Sequence, residues 1–270
     1  MASHTTLSRA ATQKTGGTNV KYELYGGKHI LEFNEANHRY KVNGKYKQGV
    51  TTMLKLLDKG DGLMQWAVNM AVDAMIAGAS VTDARRAYLV KRDSAGDVGK
   101  RVHSYIESLL QGKKLPVDPD MEQAVKAYHR WEEKNDIKHI HSERLLYSAE
   151  YDFCGTVDDV HEQHGLRVVN DYKTGKPDYE YDQSQKKYTG RVRPRIEHLL
   201  QDALYDQCMY EEDGILADKY AVTYCTKDGK LFYFETDKVK ELRELALQVV
   251  KTYKLLKEVT ANNGFKKGGL

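Results

Sequence analysis

The residues best equipped for chemistry lie close together, in Gly155-Thr156-Val157-Asp158-Asp159-Val160-His161-Glu162 and Arg167-Val168-Val169-Asn170-Asp171-Tyr172-Lys173-Thr174. Gln163-His164-Gly165-Leu166 separates the two runs, and their alternation around a His-Gly step predicts a β-hairpin. With His164-Gly165 as a two-residue turn, cross-strand partners have numbers that sum to 329. Glu162 then pairs with Arg167, Val160 with Val169 and Asp158 with Asp171. The last pair sets two carboxylates opposite each other, which is unfavourable unless a cation lies between them or a proton is shared. Side chains alternate along a strand, so Lys173 shares the face of Asp171. Two hard oxygen ligands with no cysteine nearby suit Mg²⁺ or Mn²⁺ rather than zinc. A register shifted by one residue makes Asp159 the ligand instead. By residue type alone, these acids also read as solvated strand ends, and Asp171-x-Lys173 as a surface pair.

The hairpin needs a scaffold. Strand-like patterning covers 139–148, 153–162, 166–174, 220–226 and 231–235. A helix over 196–211 carries an apolar stripe at Ile196, Leu199, Leu200, Ala203 and Leu204, and a second helix covers 238–259. Upstream, a small hairpin over 30–42 turns near 34–37, and a short helix capped by Thr51 or Thr52 runs to Leu57. Helical patterning follows over 62–76, 81–90, 98–110 and 118–134, with Pro119 suited to a first helical turn. The expected class is α/β with a mainly helical N-terminal portion. Residues 1–20 read as a flexible tail, 21–261 as a single domain (21–136 mainly helical, 137–261 an α/β core) and 262–270 as a frayed terminus.

Composition narrows the function classes. A chain of 270 residues with 40% hydrophobic and 30% charged residues is neither collagen-like nor wholly disordered. No apolar run is long enough to span a bilayer, and the expected location is cytoplasmic with no membrane partner. The Ser/Thr-rich start offers mitochondrial import as the minor alternative. Cys154, Cys208 and Cys225 are scattered, which argues against disulfides and a thiolate metal site. The 42 Lys+Arg against 39 Asp+Glu leave a net charge of +3, so any nucleic-acid footprint must be local.

G-T-x-D, thirteen residues from Asp158 to the Asp171 of D-Y-K, and then Gln201 and Tyr205 as Q-x-x-x-Y on a following helix resemble the PD-(D/E)XK nucleases, particularly the RecB-like branch. The helix segment G-K-R-V-H-S-Y-I-E, with Gly99 and His103, is similar to that branch as well. H-R-Y-x-V-x-G followed by V-T-T-M-L resembles the start of phage-type exonucleases of the group. The resemblance spans about residues 99–205. It implies a restriction-endonuclease-like core, a central mixed sheet flanked by helices. It implies Asp158 and Asp171 as acidic ligands of Mg²⁺ or Mn²⁺, with the Tyr172 backbone carbonyl and His103 as further ligands. Lys173 would orient or help deprotonate the attacking water, and Glu143 matches an acid often found on the preceding strand. Without the family context, His103, Gln201 and Tyr205 read as ordinary surface or edge-of-core residues.

Segment 174–195 is polar with no clear periodicity. It carries Lys176, Lys186, Lys187, Arg191, Arg193 and Arg195 interleaved with Tyr179, Tyr181 and Tyr188, a mixture suited to single-stranded backbones and unpaired bases, or else a solvated loop. The resulting expectation is a metal-dependent deoxyribonuclease, an exonuclease acting on single-stranded DNA or DNA ends, with a phage origin implied by the resemblance. Alternatives are a structure-selective or sequence-specific endonuclease, a non-catalytic nucleic-acid-binding module, and an interaction protein. No P-loop is present, so no nucleotide cofactor is expected, and a helicase or a single-strand annealing or binding protein would be a separate partner. Three scattered cysteines cannot supply the four that hold an iron–sulfur cluster in some RecB-like relatives.

Overall fold

His164 and Gly165 both adopt left-handed backbone conformations (φ 54° and 79°), the geometry of a tight two-residue hairpin turn. The computed structural model in which they do so describes residues 14–15, 19–57, 62–110, 112–113, 115–226 and 228–262, leaving out the side chains of 14–15, 19, 62–63, 91–100 and 262. Strands β1 (Lys14–Thr15), β2 (Asn19–Leu24), β3 (His29–Asn34), β4 (Arg39–Val42) and β5 (Lys45–Gly49) are followed by α1 (Val50–Met53) and a 3₁₀ turn at Leu54–Leu56. Helices α2 (Gly62–Ile76), α3 (Val81–Leu110) and α4 (Glu122–Asn135) lead to β6 (Lys138–Ser148), β7 (Phe153–Gln163) and β8 (Leu166–Lys173). Then come β9 (Asp178–Asp182), β10 (Lys187–Arg193), α5 (Ile196–Asp213), β11 (Lys219–Cys225), β12 (Leu231–Thr236) and α6 (Val239–Asn262).

These elements make a mixed α/β fold with a large central sheet. Strands β7 and β8 pair in the register set by the turn: Gln163↔Leu166, Glu162↔Arg167, Val160↔Val169 and Asp159↔Asn170. β6 runs antiparallel along one edge of β7, while β8 and the end of β5 take the other. β5 meets that edge only at Phe153 and Cys154, and β8 only from Asp159 onward. The stretch between, which includes Asp158, is a fork between two diverging neighbours. β11 extends the sheet parallel to β8, and β12 closes it.

Alternation along β8 and β11 sends Val169, Tyr220, Val222 and Tyr224 toward α5 and α6, and Tyr172 and Cys225 toward α3 and α4. Helices therefore cover both faces of the sheet. On α5, Leu199, Leu200, Ala203 and Leu204 are buried in that core, while Ile196 stays exposed. Among the described residues no helix is long and apolar enough to cross a membrane.

Several expectations are corrected. Residues 19–49 form a four-stranded antiparallel meander rather than one hairpin, so the N-terminal portion is helical only from Val50 onward. The two helices expected over 81–110 are one continuous α3, and α4 begins at Glu122 with Pro119 outside it. Segment 174–195 is not irregular, because β9 and β10 pair antiparallel. Lys14–Thr15 pairs with β2 inside the expected tail; residues 1–13, 16–18 and 263–270 of the expected termini lie outside the described residues.

Behind the hairpin, on the α4 side, lies a buried charge network. Asp159 is fully buried and accepts from His139 Nδ1 (2.7 Å), His161 Nδ1 (2.7 Å) and the Tyr172 hydroxyl (3.0 Å). His139 Nε2 also meets Glu132 Oε1 at 3.1 Å. Burial alone would lower the His139 pKa, but hydrogen bonds to Asp159 and Glu132 outweigh it and push it up to about 9. Burial likewise opposes charge on Asp159, and its two histidine bonds bring it down to about 2. Because the folded pKa of His139 lies above its ordinary 6.5, its contribution is full below that value and is lost as pH rises through about 9. Wild-type stability is therefore expected to fall by up to about 3 kcal/mol across this window. Chemical denaturation at about pH 6 and about pH 9.5 checks this. His139→Gln should be less stable at the lower pH and lack most of the slope.

Candidate metal centre

Asp158 sits at the fork of β7. Its Oδ2 accepts the Tyr172 backbone N–H at 3.0 Å and lies 3.8 Å from His103 Nδ1 on α3. Asp158 and Asp159 therefore do different things: the first opens into the fork, and the second is consumed by the buried network. Asp171, also fully buried, forms an ion pair through Oδ2 with Lys173 Nζ, and its Oδ1 accepts from Gln201 Nε2 at 3.4 Å. Burial raises the Asp171 pKa, Lys173 opposes the rise and Asp158 adds to it. For Lys173, burial would lower the pKa, but Asp171 and Asp158 outweigh it and hold it above the ordinary value. Lys173 is thus a firm cation beside two carboxylates.

Glu143 completes the cluster from β6. It lies between the ladder pairs Ser142↔Asp159 and Arg144↔Val157, opposite Asp158, and takes a left-handed backbone (φ 47°) that strand residues avoid. Glu143 thus faces Asp158 from a strained backbone, and strain of this kind clusters at functional sites. Burial, Asp158 and Glu107 together push its pKa up to about 9. Ligand atoms of His103, Glu143 and Asp158 all lie within 4.8 Å of one another.

A divalent cation fits this donor set. Two carboxylates and an imidazole converge, and burial, with the Asp158 charge adding to it, raises the pKa of both Glu143 and Asp171, a rise that a +2 charge would oppose. Oxygen donors with a single imidazole and no thiolate favour a hard ion. Asp158, Asp171, Glu143 and His103 are the side chains that would hold it. His139, Asp159 and His161 also bring ligand atoms together, but each of those contacts is already accounted for by a hydrogen bond.

Gln201 and Tyr205 meet the site from α5. Tyr205 is buried, and its hydroxyl accepts from Gln201 Nε2 at 3.0 Å while Gln201 touches Asp171. Its ring lies so close to Gly155 that a Cβ there would collide with it. This explains the glycine of G-T-x-D: the missing side chain admits the ring that props Gln201 against Asp171. Gly99 belongs to α3, and its packing lies outside the described side chains.

The basic residues of 174–195 are not drawn into the cluster. Lys176, Lys186, Lys187, Arg191, Arg193 and Arg195 are all exposed on or beside the β9–β10 hairpin. Arg191 faces Glu180 at 4.0 Å, and Arg195 faces Asp178 at 3.4 Å. An open groove of about 1680 Å³ between the hairpin, β12 and the start of α5 is lined by three arginines (191, 193, 195) and four carboxylates (178, 180, 197, 235), so it is not electropositive. Two lysines, Lys186 and Lys187, stand at the hairpin tip beside Tyr181 and Tyr188, whose rings meet edge to face at 5.1 Å.

The sequence reading missed Asp202, Asp206 and the Asp159 network. Asp202 and Asp206 sit four apart on α5, both fully buried. The sequence offered little signal, because both acids stand beside Gln201 and Gln207 on a helix of mixed composition.

No family model matches the chain, and no curated protein matches it either. Among solved structures, the chain is similar to a protein from Eubacterium rectale described as a "putative exonuclease", at 13% identity and a TM-score of 0.42 over 63% of this chain and 69% of that one. The functional reading therefore stands on the site's own geometry.

Filling the gap at Gly155 tests the link from glycine to site. Gly155→Ala is expected to cost about 1–3 kcal/mol by overpacking against Tyr205. In the double variant with Tyr205→Leu, much of that loss should return in a denaturation experiment.

Proposed function

We propose that this chain is a metal-dependent nuclease that hydrolyses phosphodiester bonds in DNA, with Mg²⁺ or Mn²⁺ as its cofactor. The observation that carries the reading is the cluster of His103, Glu143 and Asp158, whose ligand atoms lie within 4.8 Å of one another at the fork in the sheet, with the buried Asp171–Lys173 pair on the neighbouring strand β8. One of those acids is held there by a strained backbone. The resemblance of G-T-x-D, D-Y-K and Q-x-x-x-Y to the PD-(D/E)XK nucleases supports the same reading, and its RecB-like features favour an exonuclease acting on DNA ends.

A phosphodiester is anionic and repels hydroxide; a bound divalent cation neutralises the phosphate, acidifies a water and steadies the leaving oxygen. The chain's own groups prepare that chemistry. The Tyr172 N–H fixes Asp158, and Gln201 fixes Asp171, so both carboxylates are ordered before anything binds. Lys173 stays protonated and partly exposed, placing a positive charge where a phosphate and its attacking water would gather. Tyr205 acts through Gln201 and not on the substrate. Lys186 and Lys187, with Tyr188 exposed beside them, and Arg193 at the other end of β10 are proposed to contact the DNA strand.

Cleavage of end-labelled linear DNA, single- and double-stranded, is expected only with Mg²⁺ or Mn²⁺, and a covalently closed circle should survive. Nicking of the circle would make the enzyme an endonuclease, and no cleavage of any substrate with either metal would remove the reading. Asp158→Asn, Asp171→Asn and Lys173→Ala should each lose at least about 100-fold in rate while remaining folded. Neutralising Lys186, Lys187 and Arg193 together should weaken DNA binding and reduce its salt slope by roughly two to three. An unchanged slope would remove the hairpin from the binding surface.

A further inference from the structure

Helix α5 packs on β8 and β11, and two of its side chains, one turn apart, show how it sits over them. The Gln201 amide meets Asp171 at 3.4 Å. His198 Nδ1 stands 3.5 Å from the hydroxyl of Tyr224, with the two rings 6.5 Å apart centre to centre. Tyr224 is the partner of Lys173 in the parallel β8–β11 ladder, and its ring points into the core under α5. Asp171 meets α5 through Gln201, so Lys173, two residues further along β8, shares that face. His198 therefore meets the sheet at the ladder pair that carries Lys173, just as Gln201 meets it at Asp171.

This end of the site reaches solvent. Lys173 keeps 27% of its side chain exposed and His198 is half-buried, while Tyr224 beneath them is buried. Arg195 caps the start of α5, and Pro194 joins it to β10 of the basic hairpin. His198 is thus tied by chain to the hairpin and by contact to the partner of Lys173. A tyrosine hydroxyl that donates to Nδ1 keeps the imidazole proton on Nε2. The Nε2–H is then a donor whose direction is set by Tyr224, and phosphate oxygens accept from such donors.

We propose that His198 is a DNA contact: its Nε2–H binds a backbone phosphate beside the one being cleaved, on the side of the β9–β10 hairpin. Tyr224 is the positioning residue that holds the ring for it. The inference deepens the nuclease reading and rests on it for the choice of substrate. A histidine that only filled the edge of the α5 core would need neither the tyrosine hydroxyl nor a particular ring nitrogen.

The experiment separates the two nitrogens. Glutamine carries its amide near the position of Nε2 and asparagine near that of Nδ1, so His198→Gln keeps the donor and His198→Asn does not. Binding of a fluorescent single-stranded oligonucleotide to the full chain is read by anisotropy in Ca²⁺, and single-turnover cleavage in Mg²⁺. His198→Ala and His198→Asn should each weaken binding and slow cleavage of subsaturating DNA by about 10-fold, with His198→Gln within about 3-fold of wild type. Tyr224→Phe should lose about 3-fold, and nothing more in the His198→Ala background. A methylphosphonate, which removes the charge of one phosphate, is placed in turn at each linkage flanking the cleavage position. At one of them wild type should lose about 10-fold and His198→Ala less than about 2-fold. Wild-type behaviour of His198→Ala would overturn the contact, as would a wild type indifferent to every methylphosphonate. Equal losses in the Ala, Asn and Gln variants that follow their melting temperatures would make His198 a packing residue and overturn it too. If His198→Ala weakens DNA binding in a chain that cleaves nothing, the phosphate contact stands and the nuclease reading falls. A wild-type chain that binds no DNA removes the contact.

Discussion

Like charges held face to face govern this structure. Asp158 sits in the gap along β7 between β5 and β8, Glu143 faces it from β6, and the buried Asp171 stands on β8 with Lys173 as its counter-charge. Burial makes this arrangement expensive, because both the Glu143 and Asp171 carboxyls are pushed above their ordinary range. The surrounding fold can be understood as what keeps these groups from escaping. The β7–β8 turn sets the register, β6 contributes Glu143 in a strained conformation, α3 brings His103, and α5 presses Gln201 onto Asp171.

Tyr172 connects this cluster to the rest of the core. Its backbone N–H holds Asp158 on one side, and its hydroxyl donates to Asp159 on the other, each at 3.0 Å. Asp159 is in turn anchored by His139 and His161, and His139 by Glu132 of α4. Neighbouring acids thus have opposite duties. Asp159 is saturated with donors and gives rigidity, whereas Asp158 is left accessible. On one face of the sheet Asp159 has all its donors, although the buried His161 Nε2 has no hydrogen-bond partner among the described residues; at the fork the acids face one another.

How much of this the sequence disclosed depended on whether a residue's role was local. The β7–β8 register was legible because a two-residue turn and period-two alternation fix it without reference to the rest of the chain. That register selected Asp158 over Asp159 for the open site, but it could not show what holds Asp159, since His139 reaches it from β6 beside a bulge. Asp202 resembles any polar residue on an amphipathic helix, and only the packing of α5 shows that both its oxygens are enclosed. The β9–β10 hairpin was illegible for the opposite reason: its residues are mostly exposed, so no apolar alternation marks it. Likewise, the polar middle of α3 hid a helix that continues through it.

The central claim is that the strained, acid-lined fork exists to hold a divalent cation. Diffraction from crystals soaked in Mn²⁺, with anomalous data collected near the manganese edge, addresses it directly. The expected result is a peak among Asp158, Asp171 and Glu143. A peak only within the His139, Asp159 and His161 group, or none beside Asp158 and Asp171 at saturating Mn²⁺, would contradict it.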